Sequence, residues 1–126
     1  MAITQAIATV FKQDLMSPGG NLAALTLKCA LYTNAATLNA TTAAYAVGSE
    51  VSSSGTNYTT GGNVLANVAI SVDGTTAIFD ADNVTFPNAT ISAQAALLYN
   101  ANNANSAIAI LDFGGVKTST NGTFEL

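Results

Sequence analysis

The side chains that could do chemistry in this chain are few, and they are mostly acidic or phenolic. The sequence contains no histidine and one cysteine. Ser-His-Asp and Cys-His triads are therefore impossible, and zinc, which proteins hold with sets of cysteine and histidine, has no ligand set. No catalytic residue, cofactor site or metal site is predicted, and we do not expect an enzyme.

The closest candidate for a metal site is the pair Asp80 and Asp82 in the stretch FDADN. Calcium sites use Asp-x-Asp pairs, but they also need further oxygen ligands, a turn glycine and a distant glutamate, which this stretch lacks. Two solvated aspartates at a strand end are the simpler interpretation. The Gly-Gly pairs at 61–62 and 114–115 lack the spacing and the lysine of a phosphate-binding loop and are interpreted as turns.

Charge and composition narrow the class of protein. Only 8% of the 126 residues are charged, 49% are hydrophobic, and the net charge is −4. The three lysines (Lys12, Lys28 and Lys117) are scattered, whereas binding to a phosphate backbone needs a clustered basic face, so nucleic-acid binding is excluded. A neutral, hydrogen-bonding surface repels its neighbours weakly, which suits a protein that enters an assembly.

Compartment and thiol state follow from two further features. The N-terminus lacks the pattern of a signal peptide, and no apolar run approaches the roughly 18 residues of a membrane span. We therefore expect a soluble protein made in a cytoplasm, with no membrane partner. Cys29 lies inside an apolar strand pattern, where a free cysteine behaves as a small hydrophobic residue, so a buried thiol is expected.

The elements that would position these residues are mainly β-strands. Two uncharged apolar runs, 91–99 and 107–113, flank the turn-forming cluster 100–106, and they predict a hairpin that is buried on both faces at the centre of a sheet. Residues 25–33 predict a further strand. The dipeptide Asp73-Gly74 predicts a tight turn between strands at 64–72 and 75–80.

The complete prediction is one domain spanning residues 1–126. Ile3, Ile7, Val10, Phe11 and Leu15 recur at steps of three and four, which predicts an amphipathic helix over residues 2–16 that packs on the sheet. The β core comprises residues 25–33 and 63–126. With about seven short strands, the predicted fold is mainly β: an antiparallel β-sandwich or partly closed barrel with one N-terminal helix.

Residues 34–62 form the least regular part of the sequence. A helical turn is expected at 42–46 and a short strand near Glu50 and Val51. The stretch 48–62 is rich in Gly, Ser and Thr, which bury little apolar surface, and predicts a long surface loop or arm. Tyrosine is enriched in protein interfaces. The candidates for contact with a partner are therefore Tyr45, Glu50, Val51 and Tyr58.

Four stretches resemble a family of small virion proteins of tailed bacteriophages. They are MAITQAIATVFKQDLM, LKCALYTNAATLNATTAAY, GSEVSSSGTNYTTGGNVL and AALLYNANNANSAIAILDFGG. Family members share an (A/L)LYT-x-(A/S)A-T-L stretch, a GEVSG-x-GYT-x-GG-like loop and an ALLYN…A-x-A-x-LDFGG ending. The similarity covers nearly the whole chain in order. It departs at 52–57, where the loop is longer and lacks the compact Gly-x-Gly.

The resemblance implies a structural component of a virion, and we expect a capsid decoration or cement protein. Such a protein would sit on the outer capsid surface as a homo-oligomer, expected to be a trimer, and bind the major capsid protein. The alternatives are a tail or neck component, such as a tube, adaptor or fibre-associated module, and a host carbohydrate-binding module. Neither a cofactor nor a nucleic-acid partner is expected.

Overall fold

The computed structural model describes residues 3–9, 11, 26–102 and 104–126, and these residues form a mainly β structure. A five-stranded antiparallel sheet has the order β1-β7-β6-β2-β3, and β4 and β5 form a separate two-stranded sheet. The strands are β1 (Ala6–Ile7), β2 (Leu27–Tyr32), β3 (Asn63–Val64), β4 (Ala69–Asp73), β5 (Thr76–Asp80), β6 (Thr85–Asn100) and β7 (Ser106–Glu125).

The predicted central hairpin is confirmed. β6 and β7 pair antiparallel around the turn 101–105, with Asn100 opposite Ser106 and Leu97 opposite Ile110. Ala104 and Asn105 in this turn adopt positive φ, the left-handed backbone that asparagine tolerates well. β2 pairs with the other edge of β6, which makes β6 a central strand. Both apolar runs have residues in the buried clusters on the two faces of the sheet, which accounts for their nearly continuous hydrophobic sequence.

The core lies on both faces of this sheet. Leu27, Cys29 and Leu31 belong to one buried apolar cluster, whereas Ala30 and Tyr32 belong to another. Successive strand residues point to opposite faces, so the two clusters are the two sides of one sheet. Several alanines at its centre are fully buried, which lets the covering segments approach closely; they are Ala30, Ala89, Ala93, Ala95 and Ala96.

A bulge interrupts the β6–β7 pairing in the LDFGG stretch. Ala95 pairs with Asp112 and Ala93 with Lys117, so that Gln94 alone faces the four residues 113–116 of β7. Gly114 has a φ of 78°, and its N–H donates to Asp112 Oδ1 at 2.9 Å. The Gly-Gly pair at 114–115 therefore bends β7 and does not end it, contrary to the predicted turn.

Strand bounds differ from the predictions in three further places. The strand predicted at 64–72 is split into β3 and β4, and Asn67 between them has a φ of 53°. β6 begins at Thr85, before the predicted run 91–99, and β7 continues to Glu125, beyond the predicted run 107–113. The turn predicted between β4 and β5 is confirmed, with Gly74 at the positive φ of 65°.

The predicted N-terminal helix is wrong at residues 3–8. Ala6–Ile7 is the strand β1, which pairs with Ile110 and Ala109 of β7, and Ile3 bridges to Leu38. Thr9 and Phe11 are helical, and residues 2, 10 and 12–16 of the prediction lie outside the described part of the chain. The three-to-four spacing is outweighed here by pairing with the edge of a sheet, a tertiary contact that a local pattern does not reveal.

Candidate functional site: a buried carboxylate held by tyrosines

The most distinctive polar cluster is formed between residues 33–62 and the sheet that they cover. We call residues 33–62 the pinned segment. Its backbone follows the end of β2: Thr33 N–H donates to Ser49 O at 2.9 Å, and Val51 N–H donates to Leu31 O at 2.9 Å. Where a short strand was predicted near Glu50 and Val51, Glu50 forms a single antiparallel bridge with Tyr32. The helical turn expected at 42–46 is absent, since Ala44 bridges instead to Ser106.

Glu50 is the centre of this cluster and is 9% exposed. Its Oε2 accepts hydrogen bonds from the Tyr58 hydroxyl at 2.6 Å and from Gly61 N–H at 2.8 Å, and its Oε1 accepts one from the Tyr45 hydroxyl at 2.6 Å. Neither Lys28 nor Lys117 forms an ion pair with it. Burying an unpaired carboxylate is costly, and short hydrogen bonds to the charged group offset that cost.

A second set of tyrosine contacts ties the cluster to the sheet. The Tyr58 hydroxyl also accepts Leu31 N–H of β2 at 2.9 Å, and the Tyr99 hydroxyl of β6 donates to Gly61 O at 2.6 Å. The rings of Tyr45 and Tyr99 stack with their centroids 4.8 Å apart. Tyr58 and Tyr99 thus each join the pinned segment to a strand through a buried hydrogen bond, and Tyr45 does so through its ring contact with Tyr99.

The tyrosines of the cluster remain neutral donors over a wide pH range. Burial, followed by the hydrogen bond to Glu50, raises the pKa of both Tyr58 and Tyr45. Burial and then the negative charge of Glu50 raise the pKa of Tyr99. A phenol next to a carboxylate resists ionisation because a second negative charge would form beside the first. The three phenols therefore keep their protons at neutral pH.

The Gly-Gly pair at 61–62 brings the pinned segment into van der Waals contact with β2. A Cβ added to Gly62 would lie 1.8 Å from the carbonyl oxygen of Cys29, and Gly62 has a φ of 79°. No other residue type fits this approach. The side chain of Cys29 is fully buried in a core cluster, as predicted, and burial raises the pKa of its thiol to about 12, which leaves the thiol protonated and unreactive.

The aspartates considered for calcium do not converge on a site. Asp80 ends β5 and is exposed, and its Oδ1 accepts Ala81 N–H at 2.9 Å. Asp82 Oδ2 accepts the side-chain N–H of Asn67 at 2.6 Å. Across the described ranges, no group of three or more acidic, cysteine or histidine side chains could hold a metal ion.

Three of the four predicted contact residues are buried in the interior of the protein. Glu50, Val51 and Tyr58 are buried, and Tyr45 is half-buried with its hydroxyl on Glu50. The stretch 48–62 is irregular, but it is no detachable arm, because its side chains and backbone complete the core. These residues were predicted as contacts with a partner, whereas a lone Glu among tyrosines in an otherwise uncharged loop could have indicated a buried hydrogen-bond centre.

Comparison of the chain with protein-family models, curated proteins and solved structures found no match. Within the part of the chain that the structure describes, no helix has the length and apolar character needed to cross a membrane.

Proposed function

We propose that this chain is a non-enzymatic structural protein of a tailed-phage virion, and specifically a capsid decoration or cement protein that braces neighbouring capsomers. This proposal is supported by the resemblance of four stretches, which occur in the same order, to small virion proteins of tailed bacteriophages. The proposal includes the location on the outer capsid surface, the major capsid protein as partner, and a homo-oligomer expected to be a trimer.

The main observation behind the proposal is the position of the resembling stretches in the fold. The LYT stretch ends β2, the loop around Glu50 is tied by tyrosines to the sheet, and the LDFGG stretch forms the bulge of β7. Each of these three stretches has a role in stabilising the fold. Motifs whose residues serve packing and hydrogen bonding suit a structural component of a shell, and they require no substrate.

The proposal also includes a sandwich arrangement in which the pinned segment and the loops around it form the second layer. Apolar clusters on both faces of the five-stranded sheet support it. Cementing would then act by avidity, because one oligomer would hold several capsid subunits through modest contacts that must all break together.

The copy number per intact virion, calibrated against the major capsid protein, tests this function. Hundreds of copies, or a ratio near one to one, are expected for a decoration protein. A few to a few tens of copies would contradict the capsid role and favour the tail or neck alternative. Binding of the purified chain to host glycans would favour the carbohydrate-binding alternative.

A further inference from the structure

The N-terminal part of the chain is an added edge strand of the five-stranded sheet. We call residues 3–9 the N-terminal segment. Within it, Ile7 lies directly opposite Ala109 of β7, and Ala8 N–H donates to Ile108 O of β7 at 2.8 Å. The segment therefore supplies β7 with backbone partners on the edge that β6 does not cover.

The opposite side of the N-terminal segment is bonded to the pinned segment. Thr4 N–H donates to Leu38 O at 2.8 Å, and Thr9 N–H donates to Ala40 O at 2.9 Å. The N-terminal segment thus lies between two parts of the protein and is bonded to both. We call the space between β7 and residues 38–40 the slot.

The slot must be filled for the core to be complete. Ala8 has no exposed surface and belongs to the same buried cluster as Leu38, Ala107 and Ile110. Without a strand in the slot, this cluster would be uncovered on one side. The edge of β7 would also present unpaired backbone groups, which are a template for pairing with another strand.

The connection to the rest of the chain is long enough for the strand to come from elsewhere. Residues 12–25 separate Phe11 from Thr26, and a chain of that length reaches about 50 Å when fully extended. A folded chain of 126 residues has a radius of gyration of only about 14 Å. The N-terminal segment of one copy can therefore reach the slot of an adjacent copy.

We propose that the N-terminal segment is an exchangeable strand, and that in the assembled protein the segment of one copy fills the slot of the next copy. The slot itself selects a second copy as the donor. Its hydrogen bonds match the backbone of residues 3–9, and the fully buried position of Ala8 leaves no room for a larger side chain. Another copy supplies that same sequence, whatever the charges of the two surfaces.

Exchange changes which chain donates the strand and leaves the contacts in the slot unchanged. Exchanging an identical element is accordingly a low-cost route to an oligomer, and a high local concentration favours it. Donation from each copy to the next is a heterologous contact, which closes into a ring when its rotation permits. The inference rests on the homo-oligomer in the proposed function and supplies its contact.

Cross-linking between two different variants tests the exchange. Ile7→Cys and Ala109→Cys are produced together in one cell on chains with tags of different length, purified under reducing conditions and then oxidised. Directly paired residues have Cα atoms about 4.5–5.5 Å apart, which a disulfide can bridge. Neither variant can form this disulfide within its own chain, so a covalent heterodimer requires the segment of one copy in the slot of another.

The matched control combines Ile7→Cys with Lys117→Cys, an exposed position on the same strand that does not pair with the N-terminal segment. The exchange predicts at least about tenfold more heterodimer from the first pair, because a disulfide needs Cα atoms within about 7 Å. Buried Cys29 is common to all variants. Circular dichroism checks that each variant is folded. Equal amounts of heterodimer from the two pairs would overturn the exchange.

The chain that carries both Ile7→Cys and Ala109→Cys gives a second readout. Exchange predicts covalently linked oligomers on a denaturing gel after oxidation, and their size gives the number of copies in the ring. A cross-linked monomer at every concentration would overturn the inference. Hundreds of copies per virion without a heterodimer would keep the proposed function and remove the exchange. A few copies with a heterodimer would keep the exchange and contradict the capsid role.

Discussion

The pinned segment and the β4–β5 hairpin differ in opposite ways from what their sequences suggest. The pinned segment has almost no regular secondary structure, yet Glu50, Val51 and Tyr58 are buried within it. The hairpin is regular, with a complete register and a tight turn, yet its described side chains are exposed. Regularity and anchoring are therefore separate properties in this molecule. Anchoring comes from long-range contacts with the sheet, and the following substitutions test that difference.

The largest effect is expected from Gly62→Ala. The new Cβ would lie within 1.8 Å of the Cys29 carbonyl oxygen, so the pinned segment would have to move away from β2. We expect a loss of at least about 3 kcal/mol in the free energy of unfolding, measured by urea denaturation. Gly55→Ala is the matched control, because Gly55 also has positive φ but has no atom near its Cβ position. It should lose only about 1 kcal/mol, and equal losses would refute the role of close approach.

The next largest effect is expected from Glu50→Ala. This change leaves two tyrosine hydroxyls and Gly61 N–H without their acceptor, and we expect a loss of about 3 kcal/mol in the free energy of unfolding. Glu50→Gln keeps the shape and one acceptor, and it should lose less. Glu125→Gln removes the same charge at an exposed position and should change stability by under about 0.5 kcal/mol. A stability loss as small for Glu50→Ala would show that the cluster does not anchor the segment.

A smaller effect is expected from Tyr58→Phe. The substitution keeps the ring, which packs beside Phe86 at 5.5 Å, and removes only the hydroxyl between Leu31 N–H and Glu50. The expected loss is about 1–3 kcal/mol, because a buried N–H loses its acceptor. Tyr45→Phe should lose less, since Tyr45 is half-buried and its hydroxyl makes one hydrogen bond.

The same tyrosines predict a direction for alkaline stability. Their pKa values are raised in the folded chain, so above the ordinary tyrosine value of about 10 the folded chain holds more protons than the unfolded chain. Stability should therefore be unaffected by these groups below pH 10 and should fall as the pH rises above it. Denaturation midpoints measured from pH 8 to 11.5 should show this fall, and Tyr58→Phe should make it shallower. An unchanged slope in that variant would contradict the assignment.

The smallest effect on stability is expected in the hairpin. Ile78→Ser should change the free energy of unfolding by no more than about 0.5 kcal/mol, because Ile78 is 38% exposed and belongs to neither buried apolar cluster. Ile91→Ser in the core of β6 is the contrasting control and should lose several times more. A large loss for Ile78→Ser would mean that the hairpin is anchored after all, and the comparison between the two regions would fail.

The parts of the fold that depend on neighbouring residues were predicted correctly from the sequence. The apolar runs before and after the turn at 101–105 gave the central hairpin, and Asp73 and Gly74 gave the β4–β5 turn, because neighbouring residues decide both. Burial of Cys29 followed from the apolar pattern around it. These predictions needed no knowledge of distant contacts.

The anchoring of the pinned segment could not be predicted in the same way. Tyr58 bonds Leu31 of a strand 27 positions earlier, and Tyr99 bonds Gly61 across 38 positions. A composition rich in Gly, Ser and Thr indicates that the segment buries little apolar surface by itself. It does not reveal that strands of the sheet supply the hydrogen-bond and packing partners of the segment. The strand at Ala6–Ile7 was mispredicted as helix for the same reason, since its partner lies in β7.

The single buried thiol allows local opening of the structure to be measured by chemical labelling. Because Cys29 is fully buried in a core cluster and reacts only as an exposed thiolate, a labelling reagent reaches it only when the structure opens around β2. The rate of labelling under native conditions, compared with the rate of global unfolding, therefore gives the free energy of opening of that one region. A chain with several cysteines would blur this signal, whereas here each modified molecule records one opening at one place.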